Sequence, residues 1–261
     1  MSDLFDLSGK VVIITGGSGY LGSAMSDAMA QYGADVIIAS RNFRKCDDLA
    51  SELNKKYGRN CCGVQCDITK SSDIRDMLSF VENNYERIDG LVNNANGSTP
   101  GYIEDFTDET WEKGINESVN SVFRVTKATL PYLEKNGGSI VNVSSMYGVV
   151  APDPKVYGGD VRLNNPANYG VGKAGIIQFT RYIAAYYGQK GIRCNAITPG
   201  PFPHPHVQEN REFTSRLAEK TMLGRIGMPE ELKGLVVLLL SDASSYMTGQ
   251  NICIDGGWTA W

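Results

Sequence analysis

Short apolar segments rich in valine, isoleucine and cysteine alternate with longer segments of helical pattern along the whole chain. The short segments predict seven strands, at residues 11–15, 36–39, 61–66, 91–93, 140–143, 193–197 and 251–254. The longer segments predict helices that end near residue 31 and that span residues 43–57, 71–87, 109–135, 167–188 and, in large part, 217–241. Fully apolar strands that alternate with helices form parallel sheets covered on both faces. We therefore predict an α/β fold with a doubly wound, seven-stranded parallel sheet.

No internal repeat, low-complexity tract or linker divides the chain, so residues 1–261 are expected to form a single domain. In a doubly wound sheet, ligands bind beyond the carboxyl ends of the strands, where the strand order reverses. Two proline-rich stretches, 152–166 and 199–206, follow predicted strands at such ends. We therefore predict substrate loops near residues 146–166 and 199–215.

Composition narrows the class of protein. Hydrophobic residues make up 42% of the chain and charged residues 21%, which is ordinary for a globular protein. A net charge of −4 disfavours nucleic acid as a partner, since binding to a phosphate backbone needs a concentrated basic face. No apolar run reaches the roughly 18 residues that a membrane span requires. Residues 1–10 carry two aspartates and no apolar core of a signal peptide, so we expect a cytoplasmic protein with a small-molecule substrate.

Three of the six cysteines lie close together in sequence, at Cys61, Cys62 and Cys66. Such a cluster suggests a metal or redox site. However, two of the three are adjacent, none forms a C-x-x-C pair, and the histidines His204 and His206 are far away in sequence. We predict that these cysteines are small core residues of a strand and that the protein has no metal site.

A glycine-rich turn, Thr-Gly-Gly-Ser-Gly-Tyr-Leu-Gly at residues 15–22, joins the first predicted strand to the first predicted helix. Gly16 permits the tight turn, and the later glycines let the backbone approach a pyrophosphate or let the helix pack on the sheet. Free N–H groups at the start of the helix would face the negative charge. The alternative is a tight turn that binds no ligand.

The residues after the second predicted strand bear on the choice of dinucleotide. Dinucleotide sites that prefer NAD carry a carboxylate there for the ribose 2′-hydroxyl, whereas arginine accommodates the 2′-phosphate of NADP. Ser40 and Arg41 occupy these positions, and the guanidinium fork of arginine suits a phosphate. We therefore predict that NADP(H) is favoured over NAD(H). The alternative is an exposed arginine that begins a helix.

Tyr169 and Lys173 are four residues apart and lie on one face of a predicted helix. A nearby ammonium group is expected to lower the pKa of the tyrosine, which would then give a proton to a substrate oxygen as hydride arrives, or take one in the reverse reaction. Ser144 and Ser145 follow a predicted strand and offer a hydroxyl to the same oxygen. An exposed tyrosine–lysine pair is the alternative.

Together these motifs resemble the short-chain dehydrogenase/reductase family, whose Rossmann-type fold covers nearly the whole chain. Asp67 resembles the family's adenine-contacting acid, Asn94-Ala95-Asn96 its N-A-G stretch, and Pro199-Gly200 its turn beside the nicotinamide. The resemblance implies that Ser145, Tyr169 and Lys173 are catalytic and that Lys173 also holds the nicotinamide ribose. The cofactor-binding residues that it implies are Gly16, Ser18, Gly19, Tyr20, Leu21, Gly22, Ser40, Arg41, Asp67, Ile68, Asn94, Ala95, Asn96, Tyr169, Lys173, Pro199 and Gly200.

The chain departs from the family pattern at several positions. Tyr20 stands where compact members have glycine, and Asn96 replaces a glycine. The helix asparagine that completes the family's proton relay falls on Ser118, with Asn116 and Asn120 on either side. The stretch between the catalytic serine and tyrosine is longer than usual, around residues 157–160, and we expect it to shape the substrate pocket.

The substrate is indicated only weakly. The two predicted loops carry five basic residues: Lys155, Arg162, His204, His206 and Arg211. These residues could bind a carboxylate or a phosphate of the substrate, or they could be solvated surface charges. We predict a sugar, sugar acid or polyol. One alternative is a catalytically inactive, dinucleotide-binding regulatory protein. Another is epimerase or dehydratase chemistry, but the chain after Pro199 is too short for the larger substrate domain that it needs. The family is often tetrameric, and the apolar end at residues 258–261 would suit a contact between subunits, so a homo-oligomer (tetramer or dimer) is expected.

Overall fold

The computed structural model describes residues 4–158 and 164–261. Its strands are β1 (Val11–Thr15), β2 (Asp35–Ser40), β3 (Cys62–Gln65), β4 (Gly90–Asn93), β5 (Gly138–Val143), β6 (Ile192–Pro199) and β7 (Asn251–Ile254). They pair in parallel in the order β3-β2-β1-β4-β5-β6-β7. The predicted seven-stranded, doubly wound sheet is therefore confirmed, and its order reverses between β1 and β4.

Ten helices flank the strands in the described part of the chain: α1 (Tyr20–Gln31), α2 (Phe43–Tyr57), α3 (Ser71–Tyr85), α4 (Asp108–Ile115), α5 (Ser121–Asn136), α6 (Pro154–Tyr157), α7 (Ala167–Tyr187), α8 (Pro205–Gln208), α9 (Arg211–Glu219) and α10 (Lys233–Leu240). A π-helical turn, Asn116–Asn120, joins α4 to α5. Short 3₁₀ turns lie at Ile103–Asp105, Met146–Gly148, Gly188–Lys190, Pro229–Leu232, Asp242–Ser244 and Trp258–Ala260.

Each face of the sheet is covered by an apolar layer. Side chains alternate along a strand, so Val12 and Ile14 of β1 join the layer that contains residues of α1 and α10, whereas Ile13 joins the layer that contains residues of α3, α5 and α7. Burial on both faces explains why the strands read as continuous apolar runs. The carboxyl ends of the strands are left to the loops.

The prediction of a mostly helical segment at residues 217–241 was wrong. Helix α9 ends at Glu219, and α10 begins only at Lys233. Gly224 adopts a left-handed conformation (φ +66°), and Pro229 begins a 3₁₀ turn, so the chain changes direction between the two helices.

The helix predicted at 109–135 is interrupted by the π-helical turn. Ser118 Oγ donates to the carbonyl of Gly114 (2.7 Å), and Ser121 Oγ donates to the carbonyl of Asn116 (2.7 Å). Hydroxyls that bond back to the helix compete with the backbone ladder and accompany such local widening. The first predicted loop contains the 3₁₀ turn Met146–Gly148 and α6, and the second contains α8 and the start of α9; α6 and α8 begin at Pro154 and Pro205.

The predicted core position of the clustered cysteines is confirmed. Cys61 and Cys66 are buried, and Cys62 packs against the layer that contains α3. All six cysteines are free thiols. Within residues 4–158 and 164–261, no group of three or more histidine, cysteine and acidic side chains is arranged to hold a metal ion. No helix in the same residues is both long and apolar enough to cross a membrane.

Candidate active site

A cleft of about 570 Å³ lies at the carboxyl ends of the central strands. Every residue predicted for the site lines this cleft except Ser18, so the topology brings together motifs that are far apart in sequence. The cleft is also lined by Ser144 and His204, which the sequence indicated as a hydroxyl donor and a loop cation, and by residues that it did not indicate: Ala39, Cys66, Thr69, Gly97, Glu117, Val143 and Phe202. Most of these are neighbours of predicted residues. Glu117 lies next to Ser118, the expected relay position, but no sequence signal marked the glutamate itself.

The glycine turn is shaped by close backbone contacts. Gly16 adopts φ +63°, and a Cβ at Gly22 would lie 2.1 Å from the carbonyl oxygen of Gly16. Asn94 Nδ2 donates to the carbonyls of Thr15 and Gly16, both at 3.0 Å, and so fixes the turn against the end of β4. Helix α1 starts after Gly19 without a side-chain cap, which leaves its first N–H groups directed at the cleft. This backbone fits an anionic group such as a pyrophosphate.

The end of the cleft beyond β2 and β3 carries the residues predicted to bind adenosine. Partial burial opposes the ionisation of Asp67, but two hydrogen bonds from Thr69 outweigh it and hold the pKa of the carboxyl below its usual value. Ser18 Oγ lies 3.3 Å from Ser40 Oγ. The Arg41 side chain is exposed, and its guanidinium makes no hydrogen bond or ion pair with any described residue. Ser40 and Arg41 line this end of the cleft, whereas Ser18 does not.

The residues predicted to be catalytic meet at the end of β5. Lys173 is almost fully buried, its Nζ donates to the carbonyl of Val143 (2.8 Å), and burial lowers the pKa of its ammonium group to about 7. Ser145 is also buried, and its Oγ accepts from the N–H of Tyr147 (3.2 Å). Ser144 Oγ instead donates to the carbonyl of Lys173 (2.9 Å), so it anchors α7. Of the two serines, Ser145 is therefore the one whose hydroxyl is directed at Tyr169 in the cleft.

The expected effect of Lys173 on Tyr169 was wrong. Burial raises the pKa of the Tyr169 phenol, and hydrogen bonding with the Ser145 hydroxyl opposes this rise only in part. Lys173 Nζ lies 5.7 Å from the centre of the tyrosine ring, and its hydrogen bond goes to the main chain. The lysine is itself brought close to neutrality by burial, so it does not supply the full positive charge that the prediction assumed.

The position of the relay asparagine does not face the cleft. Ser118 is buried, with its hydroxyl bonded to the carbonyls of Gly114 and Ile115. Asn116 Oδ1 accepts from Arg124, and neither Asn116 nor Asn120 lines the cleft.

Sequence reasoning missed another amide. Asn168, one residue before Tyr169, is fully buried, and neither polar atom of its side chain has a hydrogen-bond partner. Its amide packs on Gly114, where a Cβ would lie 2.1 Å from Asn168 Nδ2. A polar residue on the buried face of an otherwise apolar helix was the available signal.

The two predicted substrate loops contact each other. The side chains of Asp153 and Lys220 form an ion pair (2.5 Å), and Arg216 Nε donates to the carbonyl of Val156 (2.6 Å). Of the predicted loop cations, His204 lines the cleft, whereas Lys155, His206 and Arg211 are exposed elsewhere. Gly159, Asp160 and Arg162 lie outside the described residues.

The sequence of this chain is similar to those of known enzymes. Residues 18–259 match the family described as enoyl-(acyl carrier protein) reductase. The sequence is 37% identical over 255 residues to 3-oxoacyl-[acyl-carrier-protein] reductase of Thermotoga maritima, covering 96% of this chain and 98% of that protein.

Solved structures of other proteins superpose on nearly the whole of this chain. A short-chain type dehydrogenase/reductase from Mycobacterium marinum superposes with a TM-score of 0.90 at 32% identity and covers 99% of both chains. A gluconate 5-dehydrogenase from Burkholderia cenocepacia, in complex with NADP and tartrate, superposes with a TM-score of 0.90 at 26% identity, covering 99% of this chain and 98% of that one.

Proposed function

This chain belongs to the short-chain dehydrogenase/reductase family and is an NAD(P)-dependent oxidoreductase that acts on CH–OH and C=O groups, and we propose that it transfers a hydride between NADP(H) and a sugar, sugar acid or polyol. The observation that carries the proposal is the meeting of Ser145, Tyr169 and Lys173 in one cleft with Arg41 and the glycine turn. Arg41 follows β2 and Ser145 follows β5, three strands apart, or roughly 14 Å at the usual strand spacing. That span suits an extended dinucleotide with its adenosine at one end and its nicotinamide at the other.

The residues present fit the cofactor. The glycine turn forms a cradle that a Cβ at Gly22 would fill, and the first N–H groups of α1 face it. When bound, the nicotinamide supplies or accepts the hydride. Asp67 and Lys173 both line the cleft; Asp67 would accept from the adenine, and Lys173 would donate to the nicotinamide ribose.

Proton transfer is assigned to the chain's own side chains. In reduction, Ser145 Oγ donates a hydrogen bond to the substrate carbonyl oxygen, and Tyr169 gives that oxygen its phenolic proton. In oxidation, Tyr169 takes the proton back. A raised phenol pKa favours the protonated acid, whereas Lys173, with a pKa of about 7, can carry a proton or release it near neutral pH.

Replacing the phenol tests this assignment. Tyr169→Phe removes one oxygen, so the variant should retain cofactor binding and lose turnover by about 10²- to 10⁴-fold. Cofactor binding is measured by quenching of tryptophan fluorescence and turnover by absorbance of the reduced nicotinamide. If the unaltered protein binds the dinucleotide but gives no single-turnover hydride transfer with any substrate of the screen below, the inactive regulatory protein is the correct alternative.

The preference for NADP(H) is supported by the unpaired Arg41 guanidinium and the neighbouring hydroxyls of Ser18 and Ser40. A hydrogen bond to a charged group contributes about 1.5–3 kcal/mol, so Arg41→Ala should weaken NADPH binding by about 10- to 100-fold and leave NADH binding nearly unchanged. Arg44→Ala, an exposed arginine of the same helix start, is the matched control. A lower Michaelis constant and higher turnover of the unaltered protein with NAD would contradict the proposal.

A polyhydroxylated substrate is supported by polar groups on the segments that flank the site. Asn164 Nδ2 donates to the carbonyl of Gly101 (2.8 Å), which ties the loop after β4 to the start of α7. In these segments Thr99 Oγ1 and Asn165 Oδ1 are buried and have no hydrogen-bond partner among the residues that the structure describes. Unpaired hydroxyl and amide groups suit the hydroxyls of a sugar. A screen of polyols, sugar acids and hydrophobic ketones with both cofactors tests this, and turnover of steroids or hydrophobic ketones alone would refute it.

We further propose that residues 1–261 act as one domain with substrate loops near 146–166 and 199–215, and that the protein works in the cytoplasm as a homo-oligomer. Six free thiols suit a reducing compartment. The C-terminal end supports a subunit contact only in part, because Trp258 packs inside its own chain whereas Trp261 is 78% exposed.

A further inference from the structure

Tyr20 and His204 bring the glycine turn and the loop after β6 together. Tyr20 begins α1, and His204 immediately precedes α8. Their ring centres lie 4.8 Å apart, and Gln208 Nε2, at the end of α8, donates to Tyr20 Oη (3.3 Å). Both rings line the cleft, beside Gly16 and Gly19. The loop after β6, residues 199–208, thus rests on the first residue of the helix that faces the pyrophosphate position.

The composition of this loop restricts the number of hydrogen-bond donors that it can present to a ligand. The run from 199 to 205 reads Pro-Gly-Pro-Phe-Pro-His-Pro, and its prolines have no N–H group. The N–H of Gly200 is already bonded to the carbonyl of Ile254 (2.9 Å). Phe202 has no polar side-chain atom, so His204 carries the only side-chain hydrogen-bond donor of the run.

We propose that Tyr20 holds the His204 imidazole over the start of α1, where an imidazole N–H donates a hydrogen bond to the pyrophosphate of the bound dinucleotide. The proposal rests on the proposed function. It adds that the loop after β6 binds the pyrophosphate from the side opposite the glycine turn. It also gives a reason for Tyr20, a large ring at a turn position where glycine would leave the imidazole without support.

The ionisation of His204 is compatible with this role. Partial burial, together with the neighbouring His206, whose ring centre lies 5.7 Å away, lowers the pKa of the His204 imidazole. At neutral pH the ring is therefore neutral and has one N–H donor. Since such a ring contributes one hydrogen bond rather than a full charge, its removal should weaken binding without abolishing it.

A fragment comparison tests the location of the contact. The dissociation constants of NADPH and of adenosine 2′-monophosphate, which has no pyrophosphate, are measured by calorimetry for the unaltered protein and for His204→Ala. We expect His204→Ala to weaken NADPH binding about tenfold and to leave the monophosphate unchanged, since a hydrogen bond to a charged acceptor is lost only in the first case. His206→Ala, a histidine of the same loop that does not line the cleft, should change neither constant by more than about twofold.

The supporting role of Tyr20 is tested by a double-mutant cycle. Tyr20→Ala should weaken NADPH binding as His204→Ala does, and the double variant should bind no more weakly than either single one, because both changes remove the same contact. Tyr20→Phe keeps the ring and should retain at least half of the affinity.

Two results would overturn the inference: unchanged NADPH binding by His204→Ala, or an equal loss of the monophosphate, which would indicate a disturbed fold. Failure of the proposed function looks different, since the unaltered protein would then bind neither NADPH nor NADH.

Discussion

The buried lysine of the active site should reduce the stability of the fold, and its replacement should reveal by how much. Lys173 is 3% exposed, its ammonium group has one hydrogen bond, to the carbonyl of Val143, and burial lowers its pKa from 10.5 to about 7. Methionine has a similar length and no charge. Lys173→Met should therefore fold more stably than the unaltered protein near neutral pH while losing activity.

The size and sign of the effect follow from proton linkage. Above about pH 10.5 the lysine is neutral in the folded and the unfolded chain, so its burial does not lower the free energy of unfolding there. As the pH falls from there to about 7, the unfolded chain holds a proton that the folded chain lacks, so the cost grows by about 1.4 kcal/mol per pH unit. At and below pH 7 the cost reaches its full value of about 5 kcal/mol. The variant also leaves the Val143 carbonyl without its hydrogen-bond donor, and this loss reduces the stability gained by Lys173→Met by about 1–3 kcal/mol at every pH.

The difference in unfolding free energy between Lys173→Met and the unaltered protein should therefore shrink by about 1.4 kcal/mol for each unit that the pH rises. Urea unfolding at fixed protein concentration, followed by tryptophan fluorescence between pH 7 and 9.5, measures this slope. Lys113→Met, on the exposed surface of α4, is the matched control for loss of a lysine and should change the unfolding free energy by no more than about 0.5 kcal/mol. A pH-independent difference for Lys173→Met would refute the reasoning.

Three further outcomes test the packing, the assembly and the thiols. Gly172→Ala places a Cβ 2.4 Å from Ser118 Oγ, so it should destabilise the fold by about 1–3 kcal/mol, and Ser118→Gly should recover most of the loss; an unchanged thermal midpoint would contradict this. Deletion of Trp261, an exposed ring at the chain end, should lower the mass measured by light scattering while leaving the circular dichroism spectrum intact; an unchanged mass would argue against a contact there. Cys253, an exposed cysteine, should be the one thiol that reacts rapidly with Ellman's reagent in the native protein, and rapid labelling of Cys253→Ser would show that buried cysteines open.

The fold was predictable because its signals are local and repeated. The central strands are short apolar runs buried on both faces, and helical segments separate successive strands, so parallel pairing follows from the alternation. The order of the strands in the sheet was not predicted. The boundaries were less certain where a single residue decides the direction of the chain. Gly224 and Pro229 separate α9 from α10 inside a segment that is otherwise suited to a helix. Glycine and proline are the residues least suited to a helix interior, so these two positions were the available sequence signal for the break.

The convergence of the candidate residues in one cleft was predictable, whereas their pKa values were not. Residues at strand ends converge by topology, which is why Asp67, Arg41 and Ser145 line one cleft. Burial is a property of the assembled fold, and the rise in the pKa of Tyr169 and the fall in that of Lys173 depend on it. The contact between Tyr20 and His204 joins positions 184 residues apart with no shared motif, so only the fold brings it to notice.

Packing against α7 explains why serine, and not the family's relay asparagine, occupies position 118. Ser118 and Gly172 approach so closely that the space beyond the serine hydroxyl is taken by the α7 backbone, and a longer side chain at position 118 would press against it. The amide in this interface comes from the other helix, at Asn168, where Gly114 leaves room for it. A buried amide without partners is costly unless ordered water satisfies it. Ser118→Asn should therefore lower the thermal midpoint of unfolding rather than improve turnover, because the longer side chain meets the α7 backbone at Gly172; an unchanged midpoint would contradict this.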